Sequence, residues 1–145
     1  MKSRIPWREK MDRPAKVVTI PPKMQKRFGR GRMLIPSPLD VDALIRKVPS
    51  GRLITPGAIR EKLAKAAGAD CACPMATGVF IRIVAEAAAE DMQARKSRIT
   101  PYWRVVREDG SLFEKFPGGP AVQADHLEAE GHRVDRAGKM RVRLG

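Results

Sequence analysis

Two dipeptides, Ser37-Pro38 and Thr55-Pro56, constrain the fold of this chain most, because each stands ahead of apolar residues at helical spacing. A hydroxyl before proline marks a helix start. The side-chain oxygen accepts an otherwise unpaired backbone N–H, and the fixed φ of proline suits the first turn. After Ser37, residues Val41, Leu44, Ile45 and Val48 recur at i, i+3, i+4 and i+7, which is one apolar helix face, and Pro49-Ser50-Gly51 ends it. After Thr55, Ile59 and Leu63 stand four apart, Ala66 and Ala67 extend the face, and Gly68 is the stop. Between these helices Arg52-Leu53-Ile54 reads as a short extended link. Pro74 and Thr77 precede a longer segment, where Val79, Phe80, Ile83, Val84, Ala87 and Ala88 predict a helix over about 77–94. Two helices joined by a short irregular turn suit a helix-turn-helix.

The 36 residues ahead of this pattern differ in kind. Pro6, Pro14, Pro21, Pro22 and Pro36 interrupt any helix, so the stretch reads as an arm, with Val17, Val18 and Ile20 as a short edge strand. Trp7 and Phe28 are expected to anchor the arm, the alternative being that they stack on bases. Residues 1–36 carry eleven Lys and Arg against two carboxylates, out of 29 and 16 in a chain of net charge +13. The excess is therefore concentrated here, with Lys23, Lys26, Arg27, Arg30 and Arg32 as candidate phosphate contacts. A polyanion is the natural partner, because each phosphate met by Lys or Arg releases condensed counterions. Duplex DNA is the first expectation, and RNA or a protein-binding adaptor role is the alternative. Cys71 and Cys73, one residue apart, make no disulfide framework, and no apolar run reaches the ~20 residues of a membrane span. A monomeric cytoplasmic protein, associated with the nucleoid if DNA is its partner, is the expectation.

Beyond the long helix, Tyr102-Trp103-Arg104-Val105-Val106 is β-prone and Glu108-Asp109-Gly110-Ser111 is a turn. Residues 121–130 read as a helix capped by Gly131, and Val134, Met140, Val142 and Leu144 around Asp135-Arg136-Ala137-Gly138 as a closing hairpin. The expected fold is α/β: a mainly helical, winged-helix-like domain over 37–145 with a small hairpin or sheet, preceded by the basic arm 1–36.

Three phrases in order carry a resemblance. Val48-Pro49-Ser50-Gly51-Arg52-Leu53-Ile54-Thr55 resembles the "I-P-x-G-x-V-x-T" segment of methylated-DNA–protein-cysteine methyltransferases. Pro101-Tyr102-Trp103-Arg104-Val105-Val106, with Asp109-Gly110, resembles their active-site phrase "P-C-H-R-V-V…D-G". Gly118-Gly119 and Leu127-Glu128-Ala129-Glu130-Gly131 resemble their closing "G-G…L-L-x-x-E-G". The resemblance spans about residues 38–134. It implies a winged-helix-like domain that docks in the minor groove and flips out an alkylated guanine. The departures bear on activity. The acceptor cysteine and its histidine align to Tyr102 and Trp103, a phenol that is mostly protonated near neutrality and an indole that cannot act as a base. The family's tyrosine in "T-Y-G" aligns to Pro56, and its helix-borne arginine near Met75, which as an apolar side chain could wedge between bases. The chain resembles the noncatalytic alkyltransferase-like members, with Arg52, Arg82 and Arg104 as further DNA contacts and Tyr102 and Trp103 lining what remains of the base pocket.

Two sharper chemistries compete with that reading. Cys73, ahead of a helix start, is an alternative methyl acceptor, set against the common fate of free cysteines as apolar packing. Zinc on Cys71, Cys73, His126 and His132 is disfavoured, because zinc fingers place two to four residues between paired cysteines. No metal and no cofactor is expected. Glu86, Glu90 and Asp91 read as a solvated acidic face, and His126 as a helix-surface residue.

Overall fold

Three helices begin with a capping side chain ahead of a proline. The computed structural model describes residues 6–144. Ser37 Oγ accepts the Asp40 N–H at 3.1 Å and starts α2 (Pro38–Arg46). Thr55 Oγ1 accepts the Ala58 N–H at 3.2 Å and starts α3 (Pro56–Ala67), which Gly68 closes in the left-handed conformation at φ 67°. The third start is the one that sequence reading placed late. Cys73 Sγ accepts the Ala76 N–H at 3.5 Å, so α4 runs Pro74–Gln93, and Thr77 lies inside it with its hydroxyl donating to Cys73 O. A hydroxyl cap contributes about 1 kcal/mol.

The long helix α4 forms the centre of the core. Phe80, Ile81, Ile83, Val84, Ala85, Ala87 and Ala88 are buried, and the alanines let α2 and α3 pack close against it. A smaller cluster of Val106, Leu112, Ala124, Leu127 and Val142 joins α5 (Gly119–Ala129) to an antiparallel hairpin of β4 (Val134–Asp135) and β5 (Arg141–Val142). That hairpin lies where the sequence predicts it. The turn at 108–111 is also present, and Asp109 accepts both the N–H and the hydroxyl of Ser111.

The β-prone phrase at 102–106 behaves differently. Tyr102–Arg104 form one 3-10 turn, and only Val105 makes a bridge, parallel to Ile54. A continuous strand would need a neighbour along its length, and the 48–55 link supplies one for a single residue pair. Ile54 N–H donates to Arg104 O at 2.9 Å and Val106 N–H to Ile54 O at 3.0 Å.

Residues 6–36, expected as an arm, are folded onto the helices. β1 (Lys16–Thr19) pairs antiparallel with β2 (Arg32–Ile35), and β2 pairs in parallel with β3 (Cys71–Ala72), leaving β2 in the middle of a three-stranded sheet. The short helix α1 (Gln25–Phe28) fills the connection from β1 to β2. Met11, Ile20, Met33 and Leu34 are buried. Prolines end the local elements without detaching the segment, because these four apolar residues hold it in the core. Trp7 packs against the main cluster.

The acidic face on α4 is likewise an internal joint. Asp91 is buried and pairs with Arg8 and, at 3.3 Å, Lys96, while Glu90 Oε1 accepts the Arg8 N–H at 3.1 Å. These carboxylates fasten the N-terminal segment to α4, so they are not a solvated face. No helix among the described residues is long and apolar enough to cross a membrane.

Candidate nucleic-acid interface

The connection from α3 to α4 positions a stripe of α4 in solvent. Thr77, Phe80, Ile81 and Val84 point inward, which leaves Met75, Val79 and Arg82 on the opposite side, at i, i+4 and i+7. Met75 is 74% exposed and Val79 56%. Val79 was expected on the apolar face and lies outside it, because the face is centred on Phe80 and Val84. An exposed methionine, valine and arginine in one row is unusual on a helix that otherwise builds the core. The Arg82 guanidinium lies 5.7 Å from the Trp7 ring, and Lys10 covers the same ring at 4.0 Å.

Tyr102, which the sequence resemblance sets at the acceptor-cysteine position, is 1% exposed and closed in by aromatic edges. Trp103 and Phe116 each lie 5.4 Å away, near perpendicular, and His126 lies 6.2 Å away. Burial, aided by the charge of Glu86, pushes the Tyr102 phenol above its ordinary value, so it is protonated at neutral pH. A protonated, enclosed phenol does not accept an alkyl group. His126, expected on the helix surface, is half-buried and stacks on Trp103 at 4.2 Å and 13°. Burial lowers its imidazole below the ordinary range.

Trp103 and Arg104 turn toward the end of α5. Glu130 accepts the Trp103 indole N–H at 3.1 Å and the Arg104 Nε and Nη2 at 3.0 and 2.6 Å. Arg104 Nη1 also donates to Val48 O at 2.5 Å. Burial alone would raise the Glu130 carboxyl, but the hydrogen bonds and charge of its partners hold it below the ordinary range. Arg104 is thereby committed to the interior and is not presented at the surface. Gln123, fully buried, completes this corner by donating to the Trp103 and Val105 carbonyls and accepting the Phe113 N–H.

The other residues singled out from sequence lie apart from Tyr102. Pro56 is in the first turn of α3, beside Gly57, whose N–H donates to Glu108 Oε1 at 3.0 Å. Arg52 is exposed on the rim of a cleft of about 950 Å³ with Leu53 and Ile54. Lys23, Lys26, Arg27, Arg30 and Arg32 are exposed on and around α1. Cys71 and Cys73 are free, half-buried thiols, and burial, with Asp70 beside it, raises Cys71. Among the described residues no three His, Cys, Asp or Glu side chains gather as a metal site. Arg60, Lys62 and Lys65 on α3, which sequence reading passed over, border a second cleft with Phe28. Their signal in the sequence was three cations on a helix whose carboxylates are fewer.

These features define a mainly helical α/β protein in which α3 and α4 follow one another across a short connection and α4, at the centre of the core, keeps one stripe in solvent. Comparison with protein-family profiles and with curated proteins finds no match. Among solved structures, the chain is similar to the crystal structure of S. pombe Atl1 in complex with damaged DNA containing O6-carboxymethylguanine. The TM-score is 0.51 at 20% identity, and the alignment covers 74% of this chain and 88% of that one. The likeness shows an alkyltransferase-like fold.

Proposed function

We propose that this protein binds duplex DNA without transferring an alkyl group, lays α4 in a groove and recognises alkylated bases there. The observation that carries the reading is the exposed row Met75, Val79 and Arg82 on α4. Apolar side chains in such a position wedge between base steps, and a neighbouring arginine meets phosphate. The fold likeness to Atl1, which is bound to damaged DNA, supports this reading, as does the net charge of +13. In the same reading the β4–β5 hairpin is the wing of a winged helix, and the exposed Arg52 adds a phosphate contact. The enclosed Tyr102 supports the noncatalytic part.

The test is binding to plain duplex, duplex containing one O6-alkylguanine and structured RNA, over a salt series, with intact-protein mass recorded after incubation. Preference for the alkylated duplex with unchanged mass is the expected result. Equal affinity for all three would reduce the reading to general electrostatic binding. A mass gain mapped to Cys73, the free thiol that caps α4 two residues before Met75, would turn the protein into an alkyl acceptor.

A further inference from the structure

The α4 row leaves unexplained a group of unpaired cations that stand together in the chain around α1 and on α3. A cleft of about 650 Å³ opens between α1 and α3, with Phe28 on one side and Arg60, Glu61, Lys62 and Lys65 on the other, so that its cations outnumber the carboxylates of Glu61 and Asp70. The basic N-terminal segment is tied to its edge. Arg32 N–H donates to Asp70 Oδ2 at 2.8 Å, Asp70 N–H donates to Arg32 O at 3.0 Å, and Asp70 and Cys71 line the cleft. Lys26, Arg27 and Arg30 flank Phe28 in the chain and are exposed. None of these cations, nor Arg60, Lys62 or Lys65, forms an ion pair among the described residues. The Phe28 ring already engages a guanidinium, with Arg27 at 4.8 Å from its centroid. No residue of the α4 row lines this cleft.

We propose that this cleft is a second nucleic-acid site, which takes unpaired nucleotides of a single DNA strand, with a base against Phe28 and phosphates along Arg60, Lys65 and the cations of α1. A volume of about 650 Å³ falls within the range of pockets that hold a small flat group, roughly 300–1,000 Å³. Only an unpaired base has a face to offer an aromatic ring, since a paired base is covered by its neighbours in the stack. A basic track beside an aromatic platform is the physical recipe for single-strand binding. An acidic peptide would match the cations but leave the ring without a partner. The inference goes beyond the duplex reading, and each can fail without the other.

The experiment is fluorescence anisotropy of the full chain with labelled single-stranded oligo(dT), with unlabelled alkylated duplex, and separately poly-glutamate, as competitors. Oligo(dT) is expected to bind and to remain bound when duplex saturates the α4 face. Phe28→Ala should weaken it about tenfold, as loss of one stacked base does, with Phe28→Trp restoring it and duplex affinity unchanged in both. Arg60→Glu with Lys65→Glu should flatten its salt dependence, with circular dichroism confirming the fold. Full displacement by duplex, equal displacement by poly-glutamate, or indifference to Phe28→Ala would each overturn the proposal. Loss of the lesion preference with oligo(dT) binding intact would overturn the duplex reading alone.

Discussion

Glu130 shows how a single side chain can hold several segments at once. It receives the Trp103 indole and the fork of Arg104, whose other nitrogen reaches Val48 O, so α5, the 3-10 turn and the end of the α2 region meet at one carboxylate. The Arg104 and Glu130 side chains are 14% and 12% exposed. Removing one partner of a buried pair leaves an uncompensated charge and costs about 3–5 kcal/mol. Glu130→Ala should therefore lower unfolding stability by about 3 kcal/mol in urea titration, and Arg104→Met in the same chain should recover part of that loss. The pH dependence has a definite sign. The folded-state carboxyl lies below its unfolded value, so its contribution is full above the unfolded value and is lost as pH falls through the folded one. Stability measured against pH should fall less steeply on the acid side in Glu130→Gln than in the parent. Tyr102 is a separate case. Tyr102→Ala removes a fully buried ring and should cost about 3–5 kcal/mol, whereas Tyr102→Phe should leave DNA binding unchanged if the phenol has no role in recognition.

At the scale of elements, the helix starts were legible because they rest on local chemistry. Ser37 and Thr55 cap the helices that they predict, and Thr55→Ala should cost about 1 kcal/mol by thermal unfolding. Cys73 in the same role was not legible, because a thiol is a weak acceptor and Thr77 offers a better-looking cap four residues later. The strand expected over Tyr102–Val106 failed for a non-local reason: β-prone residues form a strand only where another strand runs beside them, and here only Ile54 does. Val79 was misplaced because apolar periodicity cannot tell a core face from an apolar face kept in solvent. The acidic residues of α4 were misread for a similar reason, since Arg8, which pairs with Asp91, lies 83 residues away. The site row itself gives the sharpest functional test. Met75→Ala should weaken alkylated-duplex binding about tenfold, or about 1.4 kcal/mol. Arg82→Glu should weaken all duplexes alike and reduce the slope of log affinity against log salt by about one or more.

Across the whole molecule, charge and fold are more closely joined than the sequence implied. The basic segment carries the central strand of the sheet and the buried Met11, Ile20, Met33 and Leu34, so deleting residues 1–36 would remove part of the core. Charge reversal at Lys23, Lys26 and Arg30 is the way to test its electrostatics, and thermal unfolding of the truncated chain should show no cooperative transition. The parallel pairing of β2 with β3 has one more consequence. Met33 meets Cys71 and Leu34 meets Ala72 only after α2 and α3 have crossed between them. Such a closure pays loop entropy before the ladder rewards it, and non-local pairings of this kind slow folding. On a ribosome the basic hairpin would emerge before β3 and wait for that partner strand, exposing an unpaired edge next to a dense positive charge. RNA is the polyanion nearest to it at that moment, and the timing of synthesis itself becomes part of what the N-terminal segment must survive.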